Sequence, residues 1–78
     1  MAVLPTLEDN GRKVLEIFSH FNSRPGDVLR VNNFIAVGAR RRWKMNDLQQ
    51  GLEYAAQKGW VKSKNGGFEL THRGFDEM

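Results

Sequence analysis

The first quarter of the chain repeats its hydrophobic residues with the period of an α-helix. At about 3.6 residues per turn, one face collects the apolar side chains Leu7, Val14, Ile17, Phe18 and Phe21. Thr6, with Asp9 three residues later, has the spacing of a helix cap. The pattern predicts a first helix over residues 6–21, with Gly11 on its apolar side for close approach of another backbone.

The middle of the chain predicts a short strand and two more helices. The β-branched run over residues 28–31 predicts the strand, and the nearly all-apolar stretch 32–39 predicts a second helix that packs beneath its neighbours. Asn46 and Gln49 have the spacing of a capping box and open a third helix over residues 46–58. The buried stripe of this helix consists of Leu48, Leu52 and Ala55.

The last part of the chain has the pattern of a β-hairpin. Residues 60–64 and 68–71 are short strands around Asn65-Gly66, a pair that tolerates the positive φ angles of a two-residue turn. Such a turn sets the register, which pairs Val61 with Leu70 and Lys62 with Glu69. The two faces of the hairpin then differ in character, as a half-buried hairpin requires.

Composition indicates one small domain. The 78 residues, 40% of them hydrophobic, suffice for a single core, so residues 1–78 are interpreted as one domain. All five phenylalanines fall at expected core positions, with Phe75 laid on the core by a turn after the hairpin. The absence of cysteine excludes a disulfide scaffold and a thiolate zinc site and fits a reducing cytoplasm. No stretch predicts a membrane span or a leader.

The net charge of +3 conceals a basic middle. From Arg24 to Lys64 the chain has nine basic and three acidic residues, a local charge of +6, whereas the remaining ends together carry −3. A basic patch attracts phosphate backbones through charge and counterion release. A solvated surface of mixed charge gives a milder version of the same asymmetry.

Two segments in the last third of the chain resemble a known superfamily. Residues 52–61, Leu-Glu-Tyr-Ala-Ala-Gln-Lys-Gly-Trp-Val, are similar to the end of the recognition helix and the first wing strand of bacterial winged-helix regulators. Residues 68–74, Phe-Glu-Leu-Thr-His-Arg-Gly, resemble the ending that follows the wing. With the order of elements, the chain resembles a winged helix-turn-helix domain over nearly its whole length.

This resemblance implies an α+β fold, mainly α, with a three-helix core, a short strand and a C-terminal two-stranded β-hairpin as the wing. The chain departs from the pattern between Ala36 and Leu48, where the expected turn is about two residues longer than a tight helix-turn-helix. The turn is also unusually basic.

DNA binding by a small, transcriptional-regulator-like protein is the function that the resemblance and the charge lead us to expect. Expected phosphate contacts come from the basic run before the third helix and from the wing, namely Arg40, Arg41, Arg42, Lys44, Lys62 and Lys64. Expected base contacts come from amides on the third helix, namely Asn46, Gln49, Gln50 and Gln57. Asn65 and Gly66 form the expected tip of the wing. Double-stranded DNA is the expected partner of a monomer or weak homodimer.

Two acidic residues on the third helix favour an alternative function. Asp47 and Glu53 oppose the approach of phosphate. In the alternative, the domain is a protein–protein interaction adaptor without DNA binding. Its partner would dock on the arginine run, with an apolar contribution from Trp43 or Tyr54.

Catalysis and cofactor binding are not predicted. The chain has two histidines, His20 and His72, both expected at the surface, and no His-Glu-x-x-His pair of metal ligands. It also lacks a phosphate-binding glycine loop, a dinucleotide fingerprint and a nucleophile elbow. We therefore expect no enzymatic activity, no metal and no cofactor.

Overall fold

Four helices and one sheet make up residues 6–78, the part of the chain that the computed structural model describes. Residues 1–5 of the domain predicted over 1–78 lie outside the described residues. The elements in chain order are α1 (Leu7–His20), β1 (Val28–Arg30), α2 (Val31–Arg41), α3 (Met45–Gln57), β2 (Val61–Lys64), β3 (Gly67–Leu70) and α4 (His72–Glu77). The fold is α+β and mainly helical, as predicted.

Helix α1 starts at the predicted cap. The backbone N–H of Asp9 donates to the Thr6 hydroxyl at 3.0 Å, and the Asp9 carboxylate accepts from the Thr6 N–H at 3.0 Å. The pKa of Asp9 is lowered below its usual value. The larger cause is the hydrogen bond with the Thr6 backbone, and the smaller is the hydrogen bond with the Thr6 side chain. Both bonds satisfy groups that a helix start otherwise leaves unpaired.

The buried face of α1 forms one wall of the core. Val14, Ile17 and Phe18 are fully buried, and the Phe18 ring meets Phe34 of α2 edge to face at 5.5 Å between centroids. Phe21, predicted in the core, is 41% exposed. It follows the last residue of α1 as the C-cap, so it lies past the end of the buried stripe.

Helices α1 and α3 approach so closely that glycine is required on α3. A Cβ atom added at Gly51 would collide with the backbone carbonyl of Asn10. The backbone of α3 approaches Gly11 as predicted, since the same Cβ at Gly51 would lie 3.2 Å from the Gly11 nitrogen, but a Cβ at Gly11 itself would meet the rings of Tyr54 and Trp60. Backbone-to-backbone contact therefore occurs at Gly51, and Gly11 admits two aromatic rings.

Helix α2 is longer and more exposed than predicted. It continues past residue 39 to Arg41, and Arg42 ends it in the left-handed conformation with φ 59° and ψ 34°. The Trp43 N–H then donates to the Gly38 carbonyl at 2.9 Å, which is the pattern of a Schellman cap. Only residues 42–44 separate α2 from α3, so the long turn expected here is absent.

The predicted burial of α2 holds for Phe34 and Val37 but not for the whole helix, and the predicted cap of α3 was wrong. Val31 is 45% and Ile35 is 40% exposed, because the core covers only the side of α2 that carries its buried phenylalanine.

Helix α3 begins at Met45, with Lys44 as its N-cap and no side-chain hydrogen bond to the cap. Asn46 is therefore already inside the helix.

The sheet is antiparallel in the order β1-β3-β2. The hairpin register is as predicted, with Val61 opposite Leu70 and Lys62 opposite Glu69. Asn65 and Gly66 take positive φ angles of 43° and 81°, which fits the predicted two-residue turn. The short strand β1 adds a third strand by pairing Leu29 with Phe68 on the far side of β3.

A short helix, α4, closes the described chain. Thr71 caps it by accepting a hydrogen bond from the Gly74 N–H at 3.0 Å, and Gly74 lies against the Trp60 carbonyl. Arg12 of α1 holds its other end through an ion pair with Glu77 at 3.0 Å. Phe75, predicted in the core, is 43% exposed, because its neighbour Gly74 takes the position against the sheet.

None of the helices within residues 6–78 has the length and apolar character needed to cross a bilayer.

Candidate nucleic-acid interface

The four amide side chains predicted to read bases all lie on the exposed side of α3. Leu48 and Ala55, on the opposite side, are fully buried against the core, which fixes how the helix is rotated. Helical spacing aligns the row Asn46, Gln50, Glu53 and Gln57, with Gln49 beside it, and all five residues are exposed. The structure thus brings the amides together on one surface, with one acidic residue among them.

Of the two acidic residues on α3, the structure leaves one exposed. The Asp47 carboxylate lies 3.9 Å from the Lys13 ammonium of α1, and both side chains are less than a quarter exposed. A cation at this distance offsets much of the negative charge of Asp47. Glu53 is exposed in the amide row, so it alone opposes phosphate at that surface.

The basic run spans the end of α2 and the start of α3. Arg40 and Arg41 occupy the last turn of α2, where the helix dipole favours cations, and Lys44 is the N-cap of α3. This placement corrects the expectation that all four cations precede α3 in a loop. All four, Arg40, Arg41, Arg42 and Lys44, are exposed.

One arginine of the run is attached to α1. Arg41 lies 3.6 Å from the carboxylate of Glu16, and its guanidinium stacks over the Trp43 ring at 5.3 Å from the centroid. The Lys13 ammonium lies over the same ring at 5.8 Å. Trp43 is half-buried and contacts both cations, and Arg41 has less freedom to meet a phosphate than its neighbours.

The hairpin places its two lysines on the outer face of the sheet. Lys62 and Lys64 are exposed and two residues apart, so they share that face. Glu69 does not form its ion pair with Lys62, because its carboxylate accepts from the Lys64 ammonium at 3.1 Å. The longer diagonal reach of Lys64 satisfies Glu69, although Lys62 stands directly opposite it in the register.

A further cation, Arg30, joins this surface through the third strand. Arg30 pairs with Gly67, which pairs in turn with Lys64, so the three residues form one row across the sheet. Arg30 belongs to the basic middle of the sequence but not to the predicted site, because the pairing of β1 was not predicted. The available signal was the strand predicted over residues 28–31, because a short strand can pair with the free edge of a hairpin.

Arg42 allows charge and stability to be tested separately. Its φ of 59° is costly for a residue with a Cβ atom, whereas glycine adopts it freely. We expect Arg42→Gly to leave the free energy of unfolding unchanged or raise it by up to about 1 kcal/mol, while it removes one exposed cation. Urea denaturation followed by tryptophan fluorescence measures this, and Arg40→Gly, inside α2, is the control that should lose about 1 kcal/mol.

Metal ligands are not gathered anywhere in the described part of the chain. Within residues 6–78 no group of three or more histidine, cysteine, aspartate or glutamate side chains is placed to hold an ion. His20 and His72 are both exposed, and His20 stacks edge to face on Phe21.

The comparison of the chain with protein-family models, curated proteins and solved structures finds no match.

Proposed function

We propose that the chain is a DNA-binding module of the winged helix-turn-helix type, with α3 as the recognition helix and the β2–β3 hairpin as the wing. The observation that carries the proposal is the exposed amide row of α3, which begins directly beside exposed cations without an ion pair. Within residues 6–78, Arg40, Arg42, Lys44 and Lys62 have no acidic side chain within 4.0 Å. The order of helices, strand and hairpin also supports it.

The chemistry of α3 suits the edges of bases. Asparagine and glutamine amides donate and accept at once, and they match the paired donor and acceptor of adenine in the major groove. A groove about 12 Å wide admits one helix. Because α3 is buried only along the side of Leu48 and Ala55, its amide row can enter the groove without disturbing the core.

The start of α3 suits a phosphate. Lys44 is the N-cap of α3, and its side chain accepts no hydrogen bond from the helix. The first N–H groups of α3 therefore have no side-chain acceptor. Those groups and the positive end of the helix dipole attract an anion, and the cations of Arg42 and Lys44 stand beside them. A phosphate held here would fix the depth at which Asn46 and Gln50 meet the bases.

The salt dependence of binding tests how many cations take part. Each phosphate contact contributes about −0.9 to the slope of log K against log salt. If only the four exposed cations Arg40, Arg42, Lys44 and Lys62 contact phosphates, the slope is about −3.6. If Arg41 and Lys64 also leave Glu16 and Glu69 to contact phosphates, the slope is about −5.4. Titration of a random-sequence duplex at several salt concentrations distinguishes the two values.

The test of the proposal itself is a map of the contact surface. We expect a short random-sequence duplex, added to isotopically labelled protein at two salt concentrations, to shift amide signals in residues 40–57 and 62–67. The shifts should shrink at the higher salt concentration. Arg24→Gln, which removes a cation from the turn before β1, is the control and should bind as the unmodified protein does. A folded protein whose signals do not move at low salt would rule out DNA binding.

A further inference from the structure

The outer side of α2 carries a row of apolar residues that face solvent, beside the exposed Asn32. Val31, Ile35 and Ala39 follow one another at intervals of four residues and form a row along the helix, and all three are exposed. Ala36 lies beside the row and is exposed as well. Scattered exposed apolar residues are ordinary on a protein surface, but a continuous row on one helix face indicates an interaction site.

The charges around this row all have one sign. Arg30 is the N-cap of α2, Arg40 lies in its last turn, and Arg42 is its C-cap. Residues 28–46 contain no aspartate or glutamate. Because the helix rises about 1.5 Å per residue, the row has cations at both ends, roughly 15 Å apart.

We infer that the outer face of α2 binds an acidic amphipathic helix of another protein. Its apolar side chains would pack on Val31, Ile35 and Ala39, and its carboxylates would meet Arg30 and Arg40. Two helices pack by placing the ridge of one in the groove of the other, and a row at intervals of four residues is such a ridge. The inference does not depend on DNA binding.

Charge argues against two other occupants of this face. A second copy of the chain, docked face to face, would place the arginines of this face opposite those of the other copy, without an acidic residue of the face to offset them. A nucleic acid would match the arginines, but it offers little to the exposed side chains of Val31 and Ile35. An acidic helix with apolar anchors complements both features.

The proposed test uses three synthetic peptides of equal length. The first has leucines at helical spacing with glutamates on both sides, the second has the same composition in scrambled order, and the third has lysine in place of glutamate. We expect only the first to shift the amide signals of residues 30–42 at a moderate salt concentration. Ile35→Asp should weaken its binding at least tenfold, because it removes an anchor and repels the glutamates.

The matched control is Leu7→Asp, which makes the same kind of change at an exposed apolar residue on α1 and should leave peptide binding unaltered. Circular dichroism of both variants shows whether each is folded. The inference is wrong if the first peptide produces no shift at millimolar concentration, if the scrambled peptide binds equally, or if Ile35→Asp has no effect. Two further results would overturn the inference. One is a dimer in sedimentation experiments that dissociates in the Ile35→Asp variant, and the other is a set of amide shifts caused by duplex DNA and centred on residues 31–39.

Discussion

Replacement of Gly51 by alanine should lower the free energy of unfolding by about 3 kcal/mol. The added Cβ would collide with the Asn10 carbonyl, a backbone atom of α1 that no rotamer change can move aside. Overpacking usually costs roughly 1–3 kcal/mol and costs more where only backbone can move, about 4 kcal/mol at this position, of which the better helix propensity of alanine returns about 1 kcal/mol. To relieve the collision, α1 would have to move away from α3, which loosens the packing around the buried core.

Such a loss is large for a domain of this size. Small domains are stable by about 5 kcal/mol at the lower end of the usual range, so more than half of that stability would disappear. Urea denaturation followed by circular dichroism measures the change. The control is Gly66→Ala, because a Cβ there meets nothing within 4 Å and the cost comes only from the positive φ of 81°. It should lose about 1 kcal/mol. Equal stability of Gly51→Ala and the unmodified protein would contradict the close packing of α1 on α3.

The features predictable from the sequence are those that a few neighbouring residues determine. Asn65-Gly66 defines a two-residue turn, and the turn length fixes every pair in the hairpin, so the register is correct although the strand ends differ by one residue. Thr6 and Asp9 likewise form their cap through side chains three residues apart. The exposure of the amide row of α3 also follows from the sequence, because the buried stripe with Leu48 and Ala55 sets the rotation of the helix, whereas base contact by these amides stays a prediction.

The errors occur where distant parts of the chain decide the outcome. Hydrophobic periodicity stops at Ala39, but arginine is a good helix former, and the C-terminal end of the helix dipole favours Arg40 and Arg41. The helix therefore continues for two residues beyond the prediction. An all-apolar segment does not indicate which side will be covered, so the exposure of Val31 and Ile35 could not be read from the pattern.

Long-range ion pairs could not be predicted for the same reason. Lys13 offsets Asp47, and Glu16 holds Arg41, only because the turn between α2 and α3 lies against the middle of α1. From the sequence alone, Asp47 opposes phosphate as Glu53 does, and Arg41 is a free cation like its neighbours. The structure reduces both effects, and it leaves Glu53 as the main acidic residue at the exposed face of α3.

Simultaneous removal of the four unpaired cations should reduce the affinity for a random-sequence duplex about a thousand-fold at 0.15 M salt. The proposed variant combines Arg40→Gln, Arg42→Gly, Lys44→Gln and Lys62→Gln. At about 0.9 released counterions for each phosphate contact, four contacts contribute roughly three orders of magnitude to the binding constant at this salt concentration. Fluorescence anisotropy with a labelled duplex measures the loss, and the salt slope should become less steep by about 3.6.

Stability distinguishes this result from unfolding. All four side chains are exposed and have no ion pair within residues 6–78, so their replacement removes charge without removing a partner from the core. Surface replacements of this kind change stability by about 0.5 kcal/mol or less each, and glycine suits the left-handed backbone of Arg42. Undiminished affinity in the folded variant would mean that DNA, if bound at all, is held elsewhere. A loss that leaves the salt slope unchanged would show that the four cations act without contacting phosphate, because only phosphate contacts release the counterions that the slope counts.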